Sequence, residues 1–230
     1  MGDRGQSTGS GGDPGASGAL FAVSVEGYKW AAVGLMVVDH LAFMADPHHP
    51  VRYLTRAVFP AFALLLAWHL AQGVDKRKYL IRLALFGVLA QGGYALAFGG
   101  PLVWPLNVLW TFLSGVLLTL GGVWSLAGGG LSLLTEYPFG GFAVALLAEA
   151  FRRGLWEFLV GGVFLNAMNP FLFGWPPVAV GVGALATLVF YGVVPRLQPG
   201  RRVPWWVFYA FYAGHLWLLG GVKWLGVFWR

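Results

Sequence analysis

His40 lies deep in the first long apolar run of this 230-residue chain, next to Asp39 and eleven residues beyond Lys29. On a helix that step rises about 16 Å, so an ammonium held at lipid headgroups would put the imidazole near mid-bilayer. A neutral imidazole there can take a proton from a nucleophile or carry an acyl group, which makes His40 a candidate catalytic residue. Asp39 is a second candidate, although neighbouring helical residues point about 100° apart and a direct Asp39–His40 dyad is not expected. The plain structural reading is that His40 bonds a neighbouring helix while Asp39 reaches outward.

Other clusters recur on helical spacing. Arg56 opens the second apolar run, where it either faces an anion or snorkels to the surface. Asn107 and Thr111 are four apart and share a helix face, where they could orient a carbonyl oxygen or bond across helices. Tyr209, Tyr212 and His215 follow at intervals of three near the C-terminus, a stripe that is usually core packing. Asp75-Lys76-Arg77-Lys78, with Arg82 one turn on, is the densest basic cluster.

These residues must be positioned by helices in lipid. The chain is 58% hydrophobic and only 10% charged, against about 25% charge in a soluble domain, so it lacks the polar side chains to clothe a globule in water. Its twelve Trp, eight Tyr and eighteen Phe suit bilayer interfaces and packed bundles. The absence of Cys excludes disulfides, thiolate metal sites and cysteine nucleophiles. His48, His49, His69 and His215 have no metal-ligand spacing, and there is neither a Walker loop nor a G-x-S-x-G elbow. The formal charge of +6 sits in short loops beside apolar runs, where Lys and Arg set topology, so nucleic acid is not an expected partner.

The expected fold is all-α, a polytopic transmembrane bundle of about nine helices (eight to ten), several of them short or broken. Residues 1–19 are Gly, Ser, Asp and Pro with almost nothing apolar and are expected to be disordered, leaving 20–230 as one membrane domain. Spans are expected near 28–44, 54–72, 79–98, 139–151, 155–168, 175–194 and 204–222. Residues 106–135 are too many for one span and too few for two, and are read as a short hairpin of two crossings. That reading puts Lys76–Lys78, Arg152–Arg153 and Arg196–Arg202 on one side, which the positive-inside rule makes cytoplasmic together with the N-terminus.

Six segments, in order, resemble the TraX family, membrane acetylases associated with conjugal-transfer pilin. They are Lys29-Trp30-Ala31-Ala32 to Val38-Asp39-His40; Arg56-Ala57-Val58-Phe59-Pro60-Ala61-Phe62; Lys78-Tyr79-Leu80-Ile81-Arg82-Leu83; Asn107-Val108-Leu109-Trp110-Thr111; Tyr137-Pro138-Phe139-Gly140; and Phe208-Tyr209-Ala210-Phe211-Tyr212 to His215-Leu216. The Lys29–His40 spacing is also similar to the basic-x10-His signature of the wider multipass membrane acyltransferases. Three places depart from the family pattern: Ala67-Trp68-His69, Gln91-Gly92-Gly93-Tyr94-Ala95, and Glu136-Tyr137-Pro138 where the family has Asp-Tyr-Gly. The resemblance implies an acetyl-CoA-dependent acyltransferase of the bacterial inner membrane, with no metal. It implies that Lys29, Arg56, Lys76, Arg77, Lys78 and Arg82 meet the donor's phosphates and that His40 acts with Asp39 and His215. Asn107, Thr111, Tyr209 and Tyr212 then hold the substrate or its oxyanion. The acceptor stays open between a pilin-like N-terminus, a sugar and a lipid amine. A transporter with an Asp39–His40–His215 proton relay and a non-catalytic assembly factor are the competing readings.

Overall fold

Helices begin and end where the sequence supplies caps. Ser24 accepts the Gly27 amide at 3.0 Å, Asp75 the Lys78 amide at 3.3 Å and Asn107 the Leu109 amide at 3.1 Å. Gly99 and Gly154 stop their helices in the left-handed region, at φ 73° and 68°. The computed structural model describes residues 23–102, 104–201 and 203–226; the stretch 1–19, expected to be disordered, lies outside them. The helices are α1 Val25–Ala45, α2 Val51–Leu54, α3 Val58–Ala71, α4 Lys76–Phe98, α5 Val108–Leu118, α6 Val123–Leu133, α7 Gly140–Arg153, α8 Trp156–Leu172, α9 Pro177–Val193 and α10 Trp206–Trp224. A 3-10 turn, Thr55–Ala57, fuses α2 to α3, so the described residues form nine helical rods and no strand.

Val51–Ala71, Lys76–Phe98 and Pro177–Arg196 are long and apolar enough to cross a membrane. Their outer surfaces carry the same message. On α4, Ile81, Leu85, Val88, Leu89 and Leu96 are exposed along one stripe, while Leu83, Gly87, Ala90, Tyr94 and Ala97 are buried along another. An apolar outer stripe facing water would drive aggregation; facing lipid it costs nothing. α3 is apolar all round, with Ala63, Leu64 and Ala67 fully sealed, and forms the centre of the bundle. α4 and α10 approach so closely that a Cβ on Gly93 would come within 2.6 Å of the Trp217 backbone nitrogen.

The rods alternate in direction, which gathers the basic loops after α3, α7 and α9 at one end. Lys76 Nζ donates to the Thr119 carbonyl at the tip of the α5–α6 hairpin, 2.8 Å away. Trp68, near the end of α3, meets Phe151 near the end of α7, and Phe151 meets Tyr191 near the end of α9, with centroids 5.3 and 4.3 Å apart. The Val25 amide bonds the Gln198 carbonyl at 3.0 Å. Lys76–Lys78, Arg152–Arg153 and Arg196 therefore share one end, called the basic end below, as a two-helix reading of 106–135 requires.

The hairpin differs from two complete crossings. α5 and α6 have 11 residues each, about 16 Å of rise against about 30 Å of hydrocarbon. Their base is tied to mid-bundle: Asn107 Nδ2 donates to the Gly87 carbonyl and to Gln91 Oε1 at 2.8 and 2.7 Å, and Leu106 bridges to Thr135. Gln91 lies about 10 Å short of the far end of α4 along its axis. By Leu106 and Asn107 the chain thus lies within the bundle, and the 134–139 turn lies at the same depth.

Candidate functional site

His40 on α1 and His215 on α10, 175 positions apart in sequence, meet inside the bundle with Nδ1 of the first 2.8 Å from Nε2 of the second. The rings are within 6° of parallel and their centroids are 5.1 Å apart, the separation of two rings joined edge to edge in one plane. His215 Nδ1 lies 3.0 Å from the Phe211 carbonyl. A carbonyl only accepts, so His215 Nδ1 carries hydrogen. In the neutral ring Nε2 of His215 is then an acceptor, and the hydrogen of the inter-histidine bond belongs to His40 Nδ1. Nε2 of His40 is left with a free lone pair, the state that a base or nucleophile needs. Phe98 packs edge-on against His40, and Tyr212 against His215, at 5.1 and 5.5 Å.

Two clefts approach this pair from opposite ends. The cleft at the basic end spans about 1020 Å³ of space, part of it open to the outside, and is lined by Lys29, His69, Tyr79, Arg82 and Trp205 at its mouth. Deeper in, Met36, Phe62, Leu65, Phe112 and Tyr212 make its walls. Its cations are held by aromatic faces: Arg82 lies 4.2 Å from the Trp205 ring and Lys29 5.3 Å from Phe208. Tyr79 and His69 Nδ1 are hydrogen-bonded at 3.1 Å.

The second cleft spans about 1260 Å³, part of it open to the outside, and includes His40, Asp39, Arg52, Arg56, Glu136 and Trp175 in its lining. Asp39 does not bond His40. Its Oδ1 accepts from Arg56 Nη2 at 2.6 Å, from Arg52 Nε at 3.4 Å and from the Thr55 hydroxyl. Helical spacing explains the cluster, because Arg52, Thr55 and Arg56 fall on one face of the α2–α3 rod. Asn166 on α8 is 3% exposed and donates to Thr187, but its Oδ1 has no partner among the described residues.

The residues singled out in sequence divide between these places. Lys29, Arg82, Tyr209 and Tyr212 line the basic-end cleft. Arg56 faces the other cleft, so the fold separates it from the cations expected to meet the donor. Lys76 is committed to Thr119, Lys78 pairs with Asp75 at 3.2 Å, and Arg77 is exposed on the same turn; none of the three lines a cleft. Asn107 is corrected outright. It is fully buried, its oxygen caps α5 and its amide hydrogens go to Gly87 and Gln91, so nothing remains to donate to an oxyanion. Thr111 is also fully buried, with a hydroxyl that has no partner among the described residues, and it lines neither cleft.

Sequence reasoning passed over Arg52, Asn166 and Trp175, and quoted Glu136 only as a departure from the family pattern. Arg52 had a signal in its i, i+4 relation to Arg56; Trp175 and Asn166 had none, being ordinary residues of an aromatic-rich chain. No group of three or more His, Asp or Glu among the described residues could hold a metal.

A family model described as TraX protein matches residues 24–223. No curated protein and no solved structure matches the chain.

Proposed function

The chain belongs to the TraX family, and from that premise we propose that it is a membrane-embedded acetyl-CoA-dependent acyltransferase with His40 as its base. The observation that carries the reading is the side-chain series Tyr212–His215–His40, which joins the inner end of one cleft to the inner end of the other. An acyl transfer between a soluble donor and an acceptor on the other side of a membrane needs this arrangement: two openings and one reactive group between them.

In this reading the basic end faces the cytoplasm and receives the donor. Lys29 and Arg82 offer charge-assisted bonds to its phosphates, and the apolar walls beyond suit the pantetheine arm. The acceptor occupies the opposite cleft. Its nucleophilic nitrogen or oxygen attacks the thioester carbon, the C–S bond breaks, and the thiolate leaves toward the basic end. The nucleophile's proton goes to His40 Nε2, from which it is available to the thiolate. His215 keeps that nitrogen bare by occupying Nδ1, and it shares the positive charge that follows proton uptake. Tyr212 remains as a hydroxyl donor for the oxyanion.

In a transporter's proton relay of Asp39, His40 and His215 the first link is not formed: Asp39 Oδ1 is bonded to Arg56, Arg52 and Thr55, and no hydrogen bond joins Asp39 to His40 among the described residues. Radiolabelled acetyl-CoA, given to purified protein with and without membrane extract, tests the proposal. Label is expected to move to an acceptor, and His40→Ala to lower the rate at least about 100-fold while the protein keeps its gel-filtration profile. Unchanged turnover in that variant would remove His40 from the mechanism.

A further inference from the structure

The second cleft holds more positive charge at its mouth than its ion pairs consume. Arg52 and Arg56, with side chains 10% and 12% exposed, share a single oxygen of Asp39. Arg52 Nη1 is spent on the Pro47 carbonyl and Arg56 Nε on the Arg52 carbonyl. That leaves Arg52 Nη2 and Arg56 Nη1 without a hydrogen bond among the described residues. Neither atom is sealed from its surroundings, so both open to the cleft that the two arginines line. The Trp175 ring lies 4.8 and 4.5 Å from the two guanidinium carbons and fixes them side by side.

The other carboxyl in the lining, Glu136, lies deeper. Its backbone is tied to Leu106 at the half-depth base of the hairpin, at 2.9 Å, whereas Arg52 reaches the loop after α1 through Pro47. A molecule entering from the end opposite the basic loops meets the guanidiniums first. Two guanidiniums are bonded to one carboxylate, and Glu136 acts on Arg56 only from greater depth. Out of bulk water the remaining N–H groups of the guanidiniums are costly to leave unpaired and match an oxyanion. An ammonium in the same place is repelled.

We propose that Arg52 and Arg56 form a docking site for an anionic group, phosphate or carboxylate, on the acyl acceptor, which sets the acceptor's nucleophile against His40. The role given to the bound molecule rests on the acyl-transfer reading; the anion site itself does not. The phosphate of a lipid headgroup and that of a soluble ester share this chemistry.

Isothermal titration of the full chain in non-ionic detergent separates the cases, with glycerol 3-phosphate, dihexanoyl phosphatidylglycerol and glycerol as probes. At least one anionic probe is expected to bind saturably and glycerol not at all, with Kd raised tenfold or more in Arg52→Gln and in Arg56→Gln. Binding of both anions supports a soluble or lipid-borne phosphate, and binding of the lipid alone supports a headgroup. Sulfate is expected to displace the probe from the unmodified protein where chloride at equal ionic strength does not, a readout that needs no variant to fold. No binding of either anion, or displacement equal for the two salts, overturns the site. A separate titration with acetyl-CoA is expected to give the same Kd in Arg52→Gln as in the unmodified protein. Failure of acetyl-CoA to bind while the anions do would sink the acyl-transfer reading and leave the anion site intact.

Discussion

His40 Nε2 is bare because a carbonyl four residues before His215 dictates where every hydrogen in the pair must sit. The dictation runs one way, from Phe211 through His215 to His40, so replacing the middle ring should harm the chemistry without touching the donor's binding. His215→Phe keeps an aromatic ring against Tyr212 and Phe211 but offers no acceptor to His40 Nδ1, and the His40 tautomer is then free to exchange. We expect kcat to fall about 100-fold, the scale of one acid–base contribution, with KM for acetyl-CoA unchanged. Equal losses in both would mark His215 as mere packing. Both histidines were legible as candidates, since polar groups inside apolar runs stand out. Their pairing was not, because nothing local links residues 175 positions apart. Arg52 was missed for a different reason. Beside Pro47 and Pro50 it reads as a helix-end cation reaching for water, and only the fold turns it inward against Asp39.

Element boundaries were more legible than element depth. Caps such as Ser24, Asp75 and Asn107, and stop glycines such as Gly99 and Gly154, are local signals, and the helices begin and end within a few residues of the positions that they and the apolar runs mark. How far a helix reaches into a membrane is set by partners elsewhere. For α5 the partners are Gly87 and Gln91 on α4, which hold its first turn at mid-bundle through the Asn107 side chain. Asn107→Ala removes a cap and strips partners from buried groups, for a cost of about 3 kcal/mol. A lowered unfolding midpoint in detergent is expected, with acetyl-CoA affinity of the folded fraction unaltered. A normal midpoint with lost turnover would return Asn107 to the oxyanion role that the fold denies it.

At the scale of the whole molecule, the basic loops after α3, α7 and α9 collect at one end and a half-depth hairpin fills the gap between α4 and α7. This makes two clefts of unequal character, one apolar beyond a cationic mouth and one lined by ion pairs and amides. Counting charge along the chain sufficed to put Lys76, Arg152 and Arg196 together, because each basic loop follows an even number of helical passes. It could not show that two of those passes stop midway, since an apolar helix of 11 residues and a longer one have the same composition. The arrangement has a direct consequence for accessibility. The chain contains no Cys, so single cysteines can be placed without background. Lys78→Cys, Val123→Cys at the start of α6 and Arg153→Cys should all react with an impermeant maleimide from the same side of inside-out vesicles. His48→Cys, in the loop after α1, should react only when the opposite face is exposed. Labelling of Val123→Cys from the His48 side would mean that the hairpin tip crosses the membrane, and with it would go the assignment of Lys29 and Arg82 to the donor's side.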